Sequence, residues 1–336
     1  MRCTAWKNKG GLLFCICLLL FCCGCGKAEK QTSSFFAMDT IMQITAYGGS
    51  DDALRNARDV IEGLDAVLDA TDSQSALSRL QSGDVLPKTI LEPLQTAQTI
   101  SAATDGALDV TLYPLSDAWG FYTKNYRVPS QTELQTLLHG RGSFSVQDGR
   151  IILTDGAKLD LGSVAKGYAA QCAAESLRQN GVQGAVLSLG GNVQTLGAKP
   201  DGSTWRVSVA DPLHPDGTVC DLLVGETAVV TSGSYQRTFS ENGKTYHHIL
   251  DSATGAPAQS GLLSVTVVCP DGTMADGLST ALFILGPDRG AALWKSGTLS
   301  FDALWITESK EIYVTAGLES QLEQTNEAYS KAHILE

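Results

Sequence analysis

Residues 159–170 read Leu159-Asp160-Leu161-Gly162-Ser163-Val164-Ala165-Lys166-Gly167-Tyr168-Ala169-Ala170. A short apolar stretch ends at Asp160, and Leu161, Gly162 and Ser163 make a turn. From Val164 the apolar residues recur at helical spacing: Val164, Ala165, Tyr168, Ala169, Cys172, Ala173 and Leu177 share one face. The helix runs to Gln179, and Asn180-Gly181 stops it. A strand feeding a Gly-Ser turn at a helix N-terminus is a place to hold an anion. The first backbone N–H groups are free there and the helix dipole is positive. Lys166 adds a cation in the first turn, and Asp160 offers a carboxylate to a polar ligand group or a metal. The same residues also describe an ordinary helix capped by Ser163, with Lys166 in solvent. The rest of the chain has to decide between the two.

The chain has 336 residues, 43% apolar and 18% charged, enough for a sizeable core. Its formal net charge of −12 argues against nucleic acid as a partner, because phosphate backbones favour basic surfaces. An acidic protein that holds a phosphate-rich ligand needs a metal to bridge the two. Residues 1–25 differ in character from the rest of the chain. Arg2, Lys7 and Lys9 precede an apolar run from Gly10 to Cys23, then Gly24-Cys25-Gly26. That is the layout of a secretory signal, too short for a comfortable membrane span. Cys25 after a small residue resembles the lipid-attachment site of bacterial lipoproteins, with Cys22 and Cys23 where Leu and Ala or Ser are usual. The expectation is an exported chain anchored on the outer face of the cytoplasmic membrane through Cys25. Beyond the leader only Cys172, Cys220 and Cys269 remain, without a CxxC pair, so neither a disulfide framework nor a zinc site is supported.

After the signal over 1–25, residues 26–34 read as a polar tether. A strand is expected over 41–47 and helices over 51–69 and 91–103. Thr104-Asp105-Gly106 ends the second helix. A short helix over 132–138 precedes a hairpin around Asp148-Gly149. Strands are expected at 185–189, 205–209, 222–224, 228–231 and 263–269. An apolar helix from Ala275 to Leu285 is closed by Gly286-Pro287. Strands at 303–307 and 312–315 come next, and 319–336 read as a polar tail. Strands in succession, rather than a strict βαβα rhythm, indicate an α+β fold.

Four further stretches carry chemistry. Ala107-Leu108-Asp109 comes after a turn. Gly190-Gly191-Asn192 ends a strand, and adjacent glycines let a ligand approach the backbone. His247-His248-Ile249-Leu250-Asp251 is the best source of an imidazole base in a chain with five His. Ala275-Asp276-Gly277-Leu278-Ser279-Thr280 lies on a helix, so Asp276 and Thr280, at i and i+4, share a face. Asp276 also suits a helix cap. A carboxylate and a hydroxyl on one face suit a hard cation such as Mg²⁺, which takes few protein ligands and keeps waters for phosphate.

In this order the stretches resemble the ApbE family of FAD:protein FMN transferases. The resemblance is carried by Met38-Asp39-Thr40; 106–111 with Pro114 and Trp119-Gly120-Phe121; 159–169; 188–192; Thr231-Ser232-Gly233; 248–255; and 275–280. It implies one domain over 35–318, α+β, with mixed or antiparallel sheets and packed helices. It implies FAD held near Met38, Ala107, Leu108, Asp109, Asp160, Lys166 and Leu250, and Mg²⁺ bound by Asp276, Thr280 and an oxygen of Ser163. His248 is the candidate base. Departures from the family pattern are Asp39 for Gly, Thr71 for an aromatic, Gln81 for Asn, and Ser252-Ala253 before Thr254-Gly255. The reaction implied is Mg²⁺-dependent transfer of FMN from FAD to a Ser or Thr of an exported acceptor flavoprotein, releasing AMP. Two alternatives use the same residues: hydrolysis of FAD to FMN and AMP, and a flavin-binding lipoprotein without catalysis.

Overall fold

The computed structural model describes residues 29–214 and 216–336. The leader and Cys25 lie outside those residues. In chain order, β1 (Lys30–Ala37) and β2 (Thr40–Gly48) form a hairpin, followed by α1 (Ala53–Leu68), α2 (Lys88–Ala103), α3 (Tyr113–Ala118) and α4 (Gln131–Gly140). The hairpin β3 (Ser143–Gln147) and β4 (Arg150–Thr154) precedes α5 (Ala165–Gln179). Then come β5 (Val182–Leu189), β6 (Asn192–Gly197), β7 (Trp205–Ala210), β8 (Thr218–Val224) and β9 (Ala228–Gly233). The hairpin β10 (Thr238–Glu241) and β11 (Lys244–His247) leads to β12 (Leu262–Cys269) and α6 (Gly272–Ser296). The chain closes with β13 (Asp302–Thr307), β14 (Ile312–Thr315), β15 (Leu322–Gln324) and β16 (His333–Leu335).

Nine strands form one sheet in the order β1-β2-β5-β6-β9-β12-β13-β14-β16. Its pairs are antiparallel except β14 with β16. Helices α1, α5 and α6 cover one face of it through the main apolar core, and α2 packs behind them on α6 and α1. On the other face the small sheet β15-β8-β7 buries Trp205, Val207 and Leu222 against Leu304, Ile306 and Val314. Each of these helices is held by the apolar stripe it buries. In α1, Ala57, Ile61, Leu64 and Leu68 recur at three and four residues, and all are buried. The helix α6 breaks where expected: Gly286 has φ 76°, and Pro287 has no N–H to continue the ladder.

Three expectations need correction. No strand leads into the 161–163 turn. Residues 157–161 are irregular, held by the Asp160 N–H donating to Val110 O at 2.8 Å. The tether does not reach residue 34, because Lys30–Ala37 is strand β1, in register with β2 from Lys30↔Tyr47 to Ala37↔Thr40. Nor do residues 319–336 hang free as a polar tail. Strand β15 pairs with β8 and β16 with β14, and Tyr329 is buried with its O–H on Asp211 Oδ1 at 2.5 Å. Among the described residues no helix is long and apolar enough to cross a membrane.

Candidate active site

A cavity of about 640 Å³ opens at one end of the helix layer, within the size range of small-molecule sites. Met38, Ala107, Leu108, Asp109, Asp160, Ser163, Lys166, His248, Leu250, Asp276 and Thr280 all line it. Residues that are 242 positions apart in sequence are therefore neighbours in space.

The floor is built where α5 crosses α6. Gly167 has no Cβ, and one placed there would lie 2.0 Å from Gly272 O and 2.7 Å from Asp276 Cβ. The two backbones therefore meet only because this residue is Gly. The contact has a chemical consequence. The Gly167 N–H, in the first turn of α5, donates to Asp276 Oδ2 at 2.9 Å. Asp276 thus caps α5 from a different helix. Its own helix is capped by Asp271, which accepts from Met274 N. In a regular helix the Gly167 N–H would bond the carbonyl of Ser163. With that N–H diverted, the Ser163 carbonyl has no protein donor among the described residues. Asp276, Ser163 and Thr280 all line one cavity, and a carboxylate, an undonated carbonyl and a hydroxyl make an oxygen set that fits Mg²⁺. No group of three or more His, Cys, Asp or Glu assembles among the described residues, so any cation here has to rely on neutral oxygens as well. The Asp276 carboxyl is pushed above the ordinary carboxylate range by burial, against the opposing pull of Lys166, the Gly167 N–H and the Asn192 amide.

Lys166 is half-buried, with Nζ donating to Gly162 O at 3.4 Å. Its charge acts on both Asp276 and His248. His248 is lowered to about 3, first by burial and then by Arg237 and Lys166, so its imidazole is neutral at pH 7. Its Nδ1 lies 3.2 Å from Gln236 O. Since that carbonyl only accepts, Nδ1 carries the proton and Nε2 is left as the acceptor. The stability consequence has a definite sign. A His whose folded pKa is depressed contributes stability above the unfolded value near 6.5, lost as pH falls towards 3. A His248→Gln chain is therefore expected to lose less melting temperature than the wild type between pH 6.5 and 4. Thermal melts across that range check this.

Asp160 is held on both oxygens: Oδ1 accepts the Gly162 N–H at 2.8 Å, and Oδ2 accepts the Tyr122 O–H. Tyr122 stacks on Tyr113 with centroids 4.8 Å apart. The Met38-Asp39 turn is a two-residue hairpin loop with φ of 47° and 60°, unusual for residues with side chains. Two contacts brace it. The Met38 N–H donates to Asp65 Oδ2 at 2.9 Å, and Asp39 pairs with Arg237 at 3.2 Å. Asp109 lines the cavity, but its carboxylate already accepts from Arg141 Nε at 3.0 Å and from Thr111 N and Oγ1. Leu250 is buried in an aromatic cluster with Trp119 and Phe121, and the Trp119 indole N–H donates to Gly255 O at 2.8 Å. Ser252, one of the departures, donates to Gly106 O at 2.6 Å and so joins the two loops. Thr71, another, donates from N and Oγ1 to Asp69 Oδ1, at 2.7 Å each.

Sequence reasoning missed Tyr122 and Arg237. Tyr122 comes directly after Trp119-Gly120-Phe121, but nothing local says that its hydroxyl reaches Asp160. Arg237 lies four residues past Gly233 and has no signal of its own.

Comparison with known proteins places the chain in a family. The ApbE family model matches residues 38–305. The FAD:protein FMN transferase of Treponema pallidum is 29% identical over 347 residues, covering 94% of this chain and 95% of that protein. One from Klebsiella pneumoniae is 31% identical, covering 68% and 74%. Among solved structures, the ApbE protein of Thermotoga maritima superposes with a TM-score of 0.80 at 28% identity, over 88% of this chain and 100% of that one. The flavin transferase ApbE of Vibrio cholerae gives 0.77 at 25% identity, over 88% and 99%. With the family's motifs gathered around one cavity and its model spanning most of the sequence, this chain belongs to the ApbE family.

Proposed function

We propose that the protein transfers FMN from FAD to a serine or threonine hydroxyl of an acceptor protein and releases AMP, with Mg²⁺ as the required cation. The observation that carries this reading is the α5–α6 crossing, where the Gly167 N–H turns to Asp276 and where Asp276, Ser163 and Thr280 line the same cavity as Lys166 and His248. The names of the relatives supply the reaction class.

In this reading the acceptor oxygen attacks the phosphorus of the FMN half. The bridging P–O bond breaks, and AMP leaves with the electron pair. His248 Nε2 takes the acceptor proton, which its neutral imidazole allows at pH 7. The local cations that depress His248 are offset once an anionic pyrophosphate is bound, which makes it a better base in the complex than in the free protein. Lys166 and the N-terminal N–H groups of α5 hold negative charge on the phosphate oxygens. Asp276, Thr280 and Ser163 O would hold Mg²⁺, which supplies charge neutralisation on the departing phosphate. Catalysis of this kind is mostly positioning plus electrostatics. Export and lipid attachment at Cys25, read from the leader, complete the proposal and place the acceptor outside the cytoplasm.

The experiment is incubation with FAD, Mg²⁺ and candidate exported flavoproteins. Covalent flavin fluorescence in a denaturing gel together with AMP supports transfer. AMP and free FMN without labelled acceptor would indicate hydrolysis, and neither product would indicate a binding protein. Lys166→Ala is expected to weaken FAD binding about tenfold, the equivalent of ~1.4 kcal/mol for one lost charge-assisted contact. The loss should shrink at high salt, and a fluorescence titration at two ionic strengths measures it.

A further inference from the structure

Six buried side-chain polar atoms lack a hydrogen-bond partner among the described residues. Asn192 Nδ2 is the one whose residue lines the cavity. Asn192 is 2% exposed, so its amide has neither a protein partner nor bulk water. A buried N–H in that state costs stability, and in a functional protein it calls for a reason.

The backbone around Asn192 is closely determined. It is the first residue of β6, paired with Leu189 of β5 on one side and Val230 of β9 on the other. The preceding turn needs both its glycines. Gly190 and Gly191 have φ of 58° and 100°, and a Cβ on Gly190 would lie 2.6 Å from the Thr40 side chain. The strand therefore delivers Asn192 to one fixed place beneath the α5–α6 crossing. There its amide acts on the Asp276 carboxyl alongside Lys166 and the Gly167 N–H. The amide nitrogen lies near enough to pull on that carboxylate as a donor does, yet no hydrogen bond of normal length and angle closes between the two side chains. The nitrogen is also sealed from solvent, on the side of the buried Asp276 carboxyl.

We propose that Asn192 is a positioning residue for Asp276: its amide donates to the carboxylate when a divalent cation is bound there, and fixes which oxygen faces the cation. This rests on the cation reading of the proposed function. The Gly167 N–H holds one carboxylate oxygen already, and Asn192 supplies the second restraint that a two-oxygen group needs to keep one orientation. An asparagine kept only for folding would have its donors filled in the resting protein. Here the unfilled donor sits beside the buried carboxylate.

The test uses calorimetric titration of Mg²⁺ into the whole flavin-free chain, with FAD affinity measured separately by fluorescence without metal. Asn192→Leu removes the amide and keeps a similarly branched side chain. Its Mg²⁺ dissociation constant is expected to rise tenfold or more, the range typical of lost partners to a metal ligand. Its FAD affinity and its melting temperature without metal should stay at the wild-type values or above. Should the Leu variant fail to fold, Asn192→Ser, smaller and without an amide, carries the same expectation. Wild-type Mg²⁺ affinity in either folded variant overturns the proposal. So does a parallel fall in Mg²⁺ affinity, FAD affinity and melting temperature, which would mean a structural role. If the wild type itself takes up no Mg²⁺, the cation reading falls and this inference falls with it.

Discussion

Asp276→Asn is expected to lose FMN transfer by about a thousandfold, equivalent to ~4 kcal/mol of transition-state stabilisation. The carboxylate is the main charge that the site offers a cation, and Asn leaves only a neutral oxygen. The fold should survive the change, because the amide oxygen of Asn can still accept the Gly167 N–H. Stability should even improve without metal. The wild-type carboxyl is raised by burial, so its ionisation works against folding as pH climbs above the ordinary value of 3.8. Asn removes that penalty, so at pH 7 the metal-free variant should melt at or above the wild-type temperature, and the gap should close towards pH 4. Added Mg²⁺ should raise the melting temperature of the wild type and leave the variant where it is. A variant that transfers FMN normally in limiting Mg²⁺ would show the site to be misplaced. A variant that unfolds would make Asp276 a structural cap first of all.

Gly167→Ala is expected to do the opposite of what Gly to Ala does in most helices. In an open position the change stabilises by ~1 kcal/mol. At Gly167 the new methyl carbon would lie 2.0 Å from the Gly272 carbonyl, and backbone cannot rotate away as a side chain can. Helices α5 and α6 would have to separate, at a cost of about 3 kcal/mol and a melting temperature lower by roughly 5 °C or more. The separation also pulls Asp276 from the Gly167 N–H, so Mg²⁺-dependent activity should fall further than stability alone explains. Gly63 provides the control. It lies within α1 with nothing within 4 Å of where a Cβ would go. Gly63→Ala should stabilise, and if both substitutions behave alike, the close crossing is not what requires glycine at 167.

Much of the fold is legible in the chain, for reasons that differ from element to element. Helix α5 can be read because its Ala-rich stripe repeats at helical spacing and Asn180-Gly181 ends it. The pairing of Asp276 with Thr280 needs only the helical period. Strand β1 cannot be read, because Lys30 to Ser34 are polar and an edge strand carries no continuous apolar signal. Strands β15 and β16 are three residues each and exist only because β8 and β14 present free edges to them. The hairpin β10–β11 escapes a local reading because its apolar contacts are aromatic stacks with residues far away in sequence, such as Phe239 on Tyr126 at 5.0 Å. At the site, residue types and order are visible and the restraints are not. The Tyr122 hydroxyl on Asp160 and the Gly167 N–H on Asp276 join residues 38 and 109 positions apart. No local pattern encodes such a pair.

The cavity wall is stitched from stretches scattered between Phe36 and Ile284, drawn from the first hairpin, the loops after α2 and β11, the start of α5, the sheet and α6. An occupant therefore works as a reversible staple. It binds only when all of those stretches are in place, and by mass action it removes forms in which any one of them has peeled off. At a free concentration a hundred times its dissociation constant, one such molecule deepens the native state by about 2.7 kcal/mol. Openings of the first hairpin and of α6, remote in sequence, would then be suppressed together rather than separately. The lifetime of the protein against proteolysis would rise and fall with the supply of the small molecule it handles.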